Sequence, residues 1–304
     1  MLEEIIDEKF KKQIVFLLNN NWTGKSDMYF PLQNSINIEK QYIYKLKNFN
    51  YVFYKKNTQE TKRTALFLFL DKNGKNTAVI ILKDFIIYKV EILCSEEYYQ
   101  GSIFDVSYNE ESICIYDTFL ICGQKINKYT FSDRISEADT FIHNTSGCNI
   151  ELNIVEYFDD INYCKDITEN EEIFMIPNNL PIITGINYSC FKWKPCNLIT
   201  FSLKVKEENE DILLYSCIFK NDALFAKIHY SDPEGEKYIK SIKNLEDYKD
   251  NCIVDINISD GTARKMIDIL KVNTSKTIPT TIRSIEKILL VKQENLTIED
   301  MTNM

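Results

Sequence analysis

A chain of 304 residues is long enough to bury one large core or two smaller ones. Its net charge of −9 excludes a protein that coats nucleic acid through bulk positive charge, and leaves room only for a local basic channel. Nine cysteines without a C-x-x-C pair, beside two histidines, exclude a closely paired structural zinc site and fit free thiols in a reducing compartment.

The N-terminus, MLEEIIDEKFKKQIVFLLNN, is acidic and amphipathic, so it does not read as a secretory signal. Ile5, Phe10, Ile14, Leu17 and Leu18 recur at helical spacing and predict a helix. Gly24-Lys25-Ser26 has the end of a Walker A loop without its upstream glycine or preceding strand, so a P-loop is rejected. A loop containing Phe30-Pro31 then feeds a short helix at 38–46. Residues 51–54, 65–70, 77–82 and 85–90 read as strands of an antiparallel meander, rich in Val, Ile, Phe and Tyr. Asp71-Lys72-Asn73-Gly74 is a hairpin turn, since Asn-Gly suits positive φ, and a second turn falls at Lys83-Asp84. Residues 55–63 read as a solvated polar loop.

The segment from Gly101 to Ile135 predicts two strands joined by a polar turn, then a strand, a glycine turn and a helix. Asp159-Asp160 and the acidic run 169–172 read as solvated loops, and His143 as a surface residue. A strand at 180–184 precedes CFKWKPCNLITFSL, residues 190–203. If 191–194 is extended, Lys192 and Lys194 share a face opposite Trp193. Two ammonium groups on one face make a phosphate clamp. Lysines that deter aggregation on an edge strand give the same pattern. Beyond Leu203 come short strands at 212–219, 224–228 and 252–258, turns at Asp232-Pro233-Glu234-Gly235 and Ser259-Asp260-Gly261, and a helix at 237–248. No apolar run is long enough to cross a bilayer.

Lys192-Trp193-Lys194-Pro195, followed by Asn197 and an apolar run, resembles the fifth motif of mRNA capping guanylyltransferases. These are covalent nucleotidyltransferases related to DNA and RNA ligases. The resemblance extends along the chain. Phe30-Pro31 is similar to the lead-in near which that family's guanine and phosphate contacts begin. Lys56 stands where the family's nucleophilic lysine follows a strand, with Arg63 as its downstream arginine and Asn57-Thr58-Gln59 in place of x-Asp-Gly. Counting back from Arg63 instead puts Thr58 at the lysine position. Asp105 matches the aspartate of Asp-Gly-Glu, with Val106 and Ser107 replacing the glycine and glutamate. Ile115-Tyr116-Asp117, Cys122-Gly123-Gln124 and Asp133-Arg134 match the strand, turn and helix start that follow. The fourth motif, an acidic residue and glycine before apolar residues, falls at Asn179-Leu180. The sixth keeps Lys276 and Pro279, with Lys271, Asn273 and Ser275 at its other places.

The resemblance implies an α+β fold: a ligase-like nucleotidyltransferase domain with antiparallel sheets over 1–203, then an OB-fold domain with closing helices over 204–304. It implies Lys56 as nucleophile, and Arg63, Asp105, Lys192, Lys194 and Lys276 as nucleotide contacts. Because several motifs that handle phosphate, ribose and metal are altered together, the leading expectation is a pseudoenzyme without metal ligands. It would bind a protein partner of the capping or transcription machinery. The first alternative is an active guanylyltransferase that forms lysyl-GMP from GTP with Mg²⁺ or Mn²⁺, and the second an RNA-binding module. The expected location is intracellular and away from membranes: nuclear for a cellular gene, cytoplasmic for a viral or plasmid one.

Overall fold

A computed structural model describes residues 2–22, 32–57, 62–82, 85–109, 111–168, 171–195, 199–260, 265–274 and 276–303. Gly24–Ser26, Phe30-Pro31, Thr58, Gln59, Lys83-Asp84, residues 169–170, Asn197, Gly261 and Ser275 lie outside the described residues. The chain divides into two compact units, Met1–Trp193 with Met301–Met304, and Lys194–Asp300. Among the described residues no helix is long and apolar enough to cross a membrane.

The first unit opens with α1 (Glu8–Trp22), whose N-terminus is capped by Asp7 Oδ1 accepting from Lys9 N at 2.8 Å. Its strands are β1 (Gln33–Asn37), β2 (Tyr51–Asn57), β3 (Lys62–Leu70), β4 (Asn76–Leu82), β5 (Ile87–Val90), β6 (Ser102–Tyr108), β7 (Ser112–Ile121), β8 (Glu151–Ile154), β9 (Glu171–Pro177) and β10 (Gly185–Trp193), with α2 (Phe131–His143) between β7 and β8. One sheet runs β5-β4-β3-β6-β7 with the two-residue strand Glu3–Glu4 beyond β5 and Gln124–Lys125 beyond β7. Its ladders are antiparallel except where β8 pairs with β7. A second sheet runs β2-β9-β10-β1, with Tyr157–Phe158 outside β2.

Strand alternation gives the first sheet two apolar faces. Leu66, Leu68, Phe104 and Val106 pack under α2 residues Ala138 and Phe141. Ala65, Phe67, Phe69 and Ile103 pack under α1 residues Ile14 and Leu18. A third cluster joins the sheets: Val52, Tyr54, Phe174, Ile176 and Cys190 meet Tyr116 of β7 and Phe131 and Ile135 of α2. Thr130 caps α2 by accepting from Asp133 N at 3.1 Å. One turn into that helix, Arg134 is 1% exposed and reaches back to β7, with Nε donating to Asp117 Oδ1 at 2.8 Å and a second nitrogen to Oδ2 at 3.1 Å. The helix and strand flagged by Ile115-Tyr116-Asp117 and Asp133-Arg134 are thus joined by a buried ion pair.

The second unit holds β11 (Phe201–Glu208), β12 (Asp211–Ile218), β13 (Asn221–Ile228), α3 (Pro233–Lys243), β14 (Ile253–Asp260), β15 (Lys265–Val272) and α4 (Ile282–Glu294). Its antiparallel sheet has the order β13-β12-β11-β14-β15, with α3 between the third and fourth strands. That five-strand, partly open order is OB-like, so the fold is α+β with a β-rich second unit. Leu203, expected to end the first domain, lies inside β11 of the second unit.

Three local readings change. Asp232-Pro233-Glu234-Gly235 is no turn but the start of α3: Asp232 Oδ1 accepts from Glu234 N at 3.1 Å and Pro233 takes the first position, where its missing N–H costs nothing. The strand expected at 180–184 starts at Gly185 instead. Ser259 and Asp260 continue β14.

Candidate active site

Lys56 lies on β2, not on a loop, because β2 runs on to Asn57 in register with β9. Along β2, Val52, Tyr54 and Lys56 take one face and Phe53 and Lys55 the other. Val52 and Tyr54 belong to the cluster between the sheets, so Lys56 extends that buried row by one step. The side chain is 8% exposed, with Nζ 4.8 Å from the centroid of the Tyr116 ring. Lys55 faces away, and its Nζ donates to the Asp166 carbonyl at 3.3 Å. The polar-loop reading of 55–56 is therefore corrected: pairing with β9 turned two adjacent lysines to opposite sides of a sheet.

Directly opposite Lys56 in the β2–β9 ladder is Glu172, 5% exposed. Phe174 follows on the same face, opposite Tyr54 on one side and Lys192 of β10 on the other. Lys192 therefore shares the face of Lys56 and Glu172. β10 is flanked by β9 and β1, so it is an interior strand and the edge-strand reading of its lysines does not hold. The strand ends at Trp193, and Lys194 follows it in the second unit. The ladder therefore fixes the face of Lys192, and Lys194 lies one residue past the end of the strand.

The first sheet brings Arg63 and Asp105 to Lys56. Arg63 is opposite Ser107 in the β3–β6 ladder, and Asp105 is two residues before it. Arg63 grips the Asp105 carboxylate with two donors, Nε to Oδ1 at 3.0 Å and a terminal nitrogen to Oδ2. Asp105 is buried and Arg63 partly exposed. Ser107 Oγ donates to the Tyr116 hydroxyl at 3.3 Å, which fixes the ring beneath the amine.

Burial moves the Lys56 ammonium down from its ordinary 10.5 to about 8. Asp105 and Glu172 favour the charged form and Arg63 opposes it, but loss of water outweighs them all. Burial would also lower the Arg63 guanidinium, yet the charge and hydrogen bonds of Asp105 raise it. The site therefore joins an amine that loses its proton at about 8 to a permanently charged clasp.

Among the described residues no group of three or more His, Cys, Asp or Glu side chains could hold a metal. Glu172 still fits an ion that arrives on a nucleotide, because Mg²⁺ takes one or two carboxylates plus substrate phosphates, whereas both Asp105 oxygens accept from Arg63. The fourth-motif position falls on Asn179, and the solvated-loop reading of the acidic run is corrected at Glu172, which is buried on β9 because it pairs with β2. Asn178 instead caps α2, accepting from Ser132 N at 3.1 Å. The signal for Glu172 was present, since it precedes the apolar run Ile173-Phe174-Met175-Ile176.

In the second unit Lys276 is held by its own network. Its Nζ donates to Ser202 Oγ at 2.6 Å, and Ser202 donates to Asp255. Asn273 Nδ2 donates to the same carboxylate at 3.0 and 3.1 Å.

No family model matches the sequence, and no curated protein matches it. Among solved structures the chain is similar to mycobacterial DNA ligase D complexed with ATP, with a TM-score of 0.39 and 9% identity over 81% of this chain and 96% of that one. It is also similar to a Lig E DNA ligase, with a TM-score of 0.37 and 10% identity over 80% and 99%. A third similar structure is the ATP-dependent DNA ligase of bacteriophage T7 in complex with ATP, with a TM-score of 0.38 and 9% identity over 80% and 98%.

Proposed function

We propose that the first unit transfers a nucleotide through a covalent lysine adduct, with Lys56 as nucleophile. GTP is the substrate that the guanylyltransferase resemblance implies. The observation that carries this reading is the buried Lys56 amine, brought down to about 8 among Arg63, Asp105 and Glu172. At pH 7 about one lysine in ten is then neutral, against fewer than about one in a thousand at the ordinary value. An amine becomes a usable nucleophile when desolvation lowers its pKa in this way.

The neutral amine attacks the α-phosphorus. An N–P bond forms, the bond from that phosphorus to the bridging oxygen breaks, and pyrophosphate leaves with the bonding pair. The nitrogen gives its proton to water. Lys192, on the face of Lys56, places positive charge for the phosphate oxygens. Glu172 would hold a Mg²⁺ or Mn²⁺, while Asp105 stays on Arg63. When bound, that ion neutralises charge on the departing pyrophosphate.

A second reading is a guanylyltransferase-like subunit that binds a protein partner or RNA without chemistry. It is favoured by the Arg63–Asp105 clasp, which occupies both oxygens of one of the two carboxylates. Incubation of the purified chain with α-labelled GTP, and in parallel ATP, with Mg²⁺ or Mn²⁺ separates the two. The first reading expects a labelled band that survives Lys55→Ala and vanishes in Lys56→Ala. An unlabelled wild-type chain with either nucleotide and either metal leaves the second.

A further inference from the structure

Two stretches of the first unit are unlike the rest of this acidic chain. Residues 40–57 carry Lys40, Lys45, Lys47, Lys55 and Lys56 and no Asp or Glu, and residues 173–193 carry Lys192 and no Asp or Glu, while the net charge of the whole chain is −9. These stretches supply β2, β10 and most of β9 of the second sheet. They also supply a 3₁₀ turn, Lys40–Tyr42, and the helix Ile43–Asn48 that follows it.

The turn and helix lie on the face of the sheet that looks away from Lys56. Phe191 adjoins Lys192 on β10, so it points to the opposite side. The Tyr42 ring stacks on Phe191 with centroids 5.3 Å apart, and the Tyr51 ring stacks on it from β2 at 6.0 Å. Tyr51 donates its hydroxyl to the Ser189 carbonyl at 2.8 Å. Lys45 Nζ stands 5.0 Å from the Tyr42 centroid and 5.6 Å from that of Phe191, so its charge rests on rings and not on a carboxylate. The support beneath this surface is therefore a fixed stack of aromatic rings.

Outside that stack, Tyr44 and Phe49 are each 56% exposed, and Lys40 and Lys47 are exposed beside them. Glu39, which precedes the turn, is the carboxylate nearest in sequence. It is buried and accepts from Gln41 Nε2. The 178–184 segment, which meets the end of this stretch where Asn178 N donates to the Asn50 carbonyl at 2.8 Å, adds no negative charge. Exposed rings among cations, with the local carboxylate turned inward, suit a polyanion that carries flat apolar groups. We propose that this outer surface binds single-stranded nucleic acid, with bases stacking on Tyr44 and Phe49 and phosphates held by Lys40, Lys45 and Lys47. Every base has a π-face, so the binding tolerates sequence. A duplex keeps those faces inside its own stack and offers the rings nothing. The proposal holds under either reading of Lys56, because the two surfaces lie on opposite faces of one sheet.

Fluorescence anisotropy of end-labelled oligouridylate and oligodeoxythymidylate with the full chain tests it. A Kd of about 1–100 µM at physiological salt is expected for at least one of the two, weakening as salt rises. Tyr44→Ala removes one exposed ring at a helical position that alanine suits, so binding should weaken at least about fivefold while the melting temperature holds. Lys47→Gln should reduce the slope of log K against log salt by about 0.7, the share of one phosphate contact on a single strand. A wild-type chain that binds neither oligomer at about 100 µM overturns the proposal. So does affinity that is unchanged in Tyr44→Ala. A duplex of equal length that binds as tightly, or polyglutamate that competes equally per charge, reduces the surface to bulk charge and overturns it too.

Discussion

Replacing Lys56 by Met should make the protein more stable and inactive at once. Moving the amine from 10.5 to about 8 means that the folded state disfavours the charged form by about 3 kcal/mol, at about 1.4 kcal/mol per unit. The support that Asp105 and Glu172 give to the charge is already contained in that shift. Met has a similar unbranched shape and no charge to desolvate. Below pH 8 both folded and unfolded chains carry the lysine proton, and the full penalty applies. Between about pH 8 and 10.5 the folded chain has released the proton while the unfolded chain keeps it, so wild-type stability rises with pH across that window. The advantage of Lys56→Met should therefore be greatest at neutral pH and shrink as pH approaches 10.5. For a unit of this size about 3 kcal/mol corresponds to about 6–12 °C in melting temperature. Thermal unfolding of wild type and variant at pH 7 and pH 9.5 reads both quantities. A variant that is less stable at pH 7, or a gap that does not narrow at pH 9.5, would refute the account of Lys56 as a desolvated amine.

Other consequences can be measured separately. The rate of lysine labelling by nucleotide should rise with pH and level off above about 8, as the neutral amine becomes the dominant form; a flat profile from pH 6 to 9 would count against Lys56. Asp117→Asn leaves the buried Arg134 without its counter-charge and should cost about 3–5 kcal/mol in denaturant unfolding. Gly235→Ala places a methyl group 2.1 Å from the His229 carbonyl oxygen, so α3 must shift; the loss should appear as a lower melting temperature of the second unit, with Lys56 chemistry unaffected. Glu172→Gln should cut labelling at least about 100-fold at saturating nucleotide while leaving the fold intact.

Much of the fold was legible because it rests on short-range rules. The unbroken apolar runs of β3 and β4, bounded by the Asn-Gly turn, name their own structures. The site was less legible, because it depends on which strands become neighbours. Lys55 and Lys56 look equally solvated in the sequence; only the ladder with β9 sends one to the Asp166 carbonyl and the other beneath the sheets. Glu172 was read as part of a solvated acidic run for the same reason, since its closeness to Lys56 is a matter of register across more than a hundred residues. Asp232-Pro233 was a different kind of miss. It carries an N-cap followed by Pro at the first helical position, a local signal that the glycine two residues later obscured.

The placement of Lys56 on a strand also bears on how such a site can be gained or lost. A loop lysine wanders when residues are inserted beside it, but a strand residue can only change sides. Inserting one residue in β2 between Tyr51 and Lys55 would move Lys55 into the place of Lys56 over Tyr116 and turn Lys56 to the opposite face. Both positions already hold the same side chain, so the exchange would carry the reactive amine across the slip. The doubled lysine thus makes the chemistry tolerant of a kind of mutation that ordinarily erases an active site.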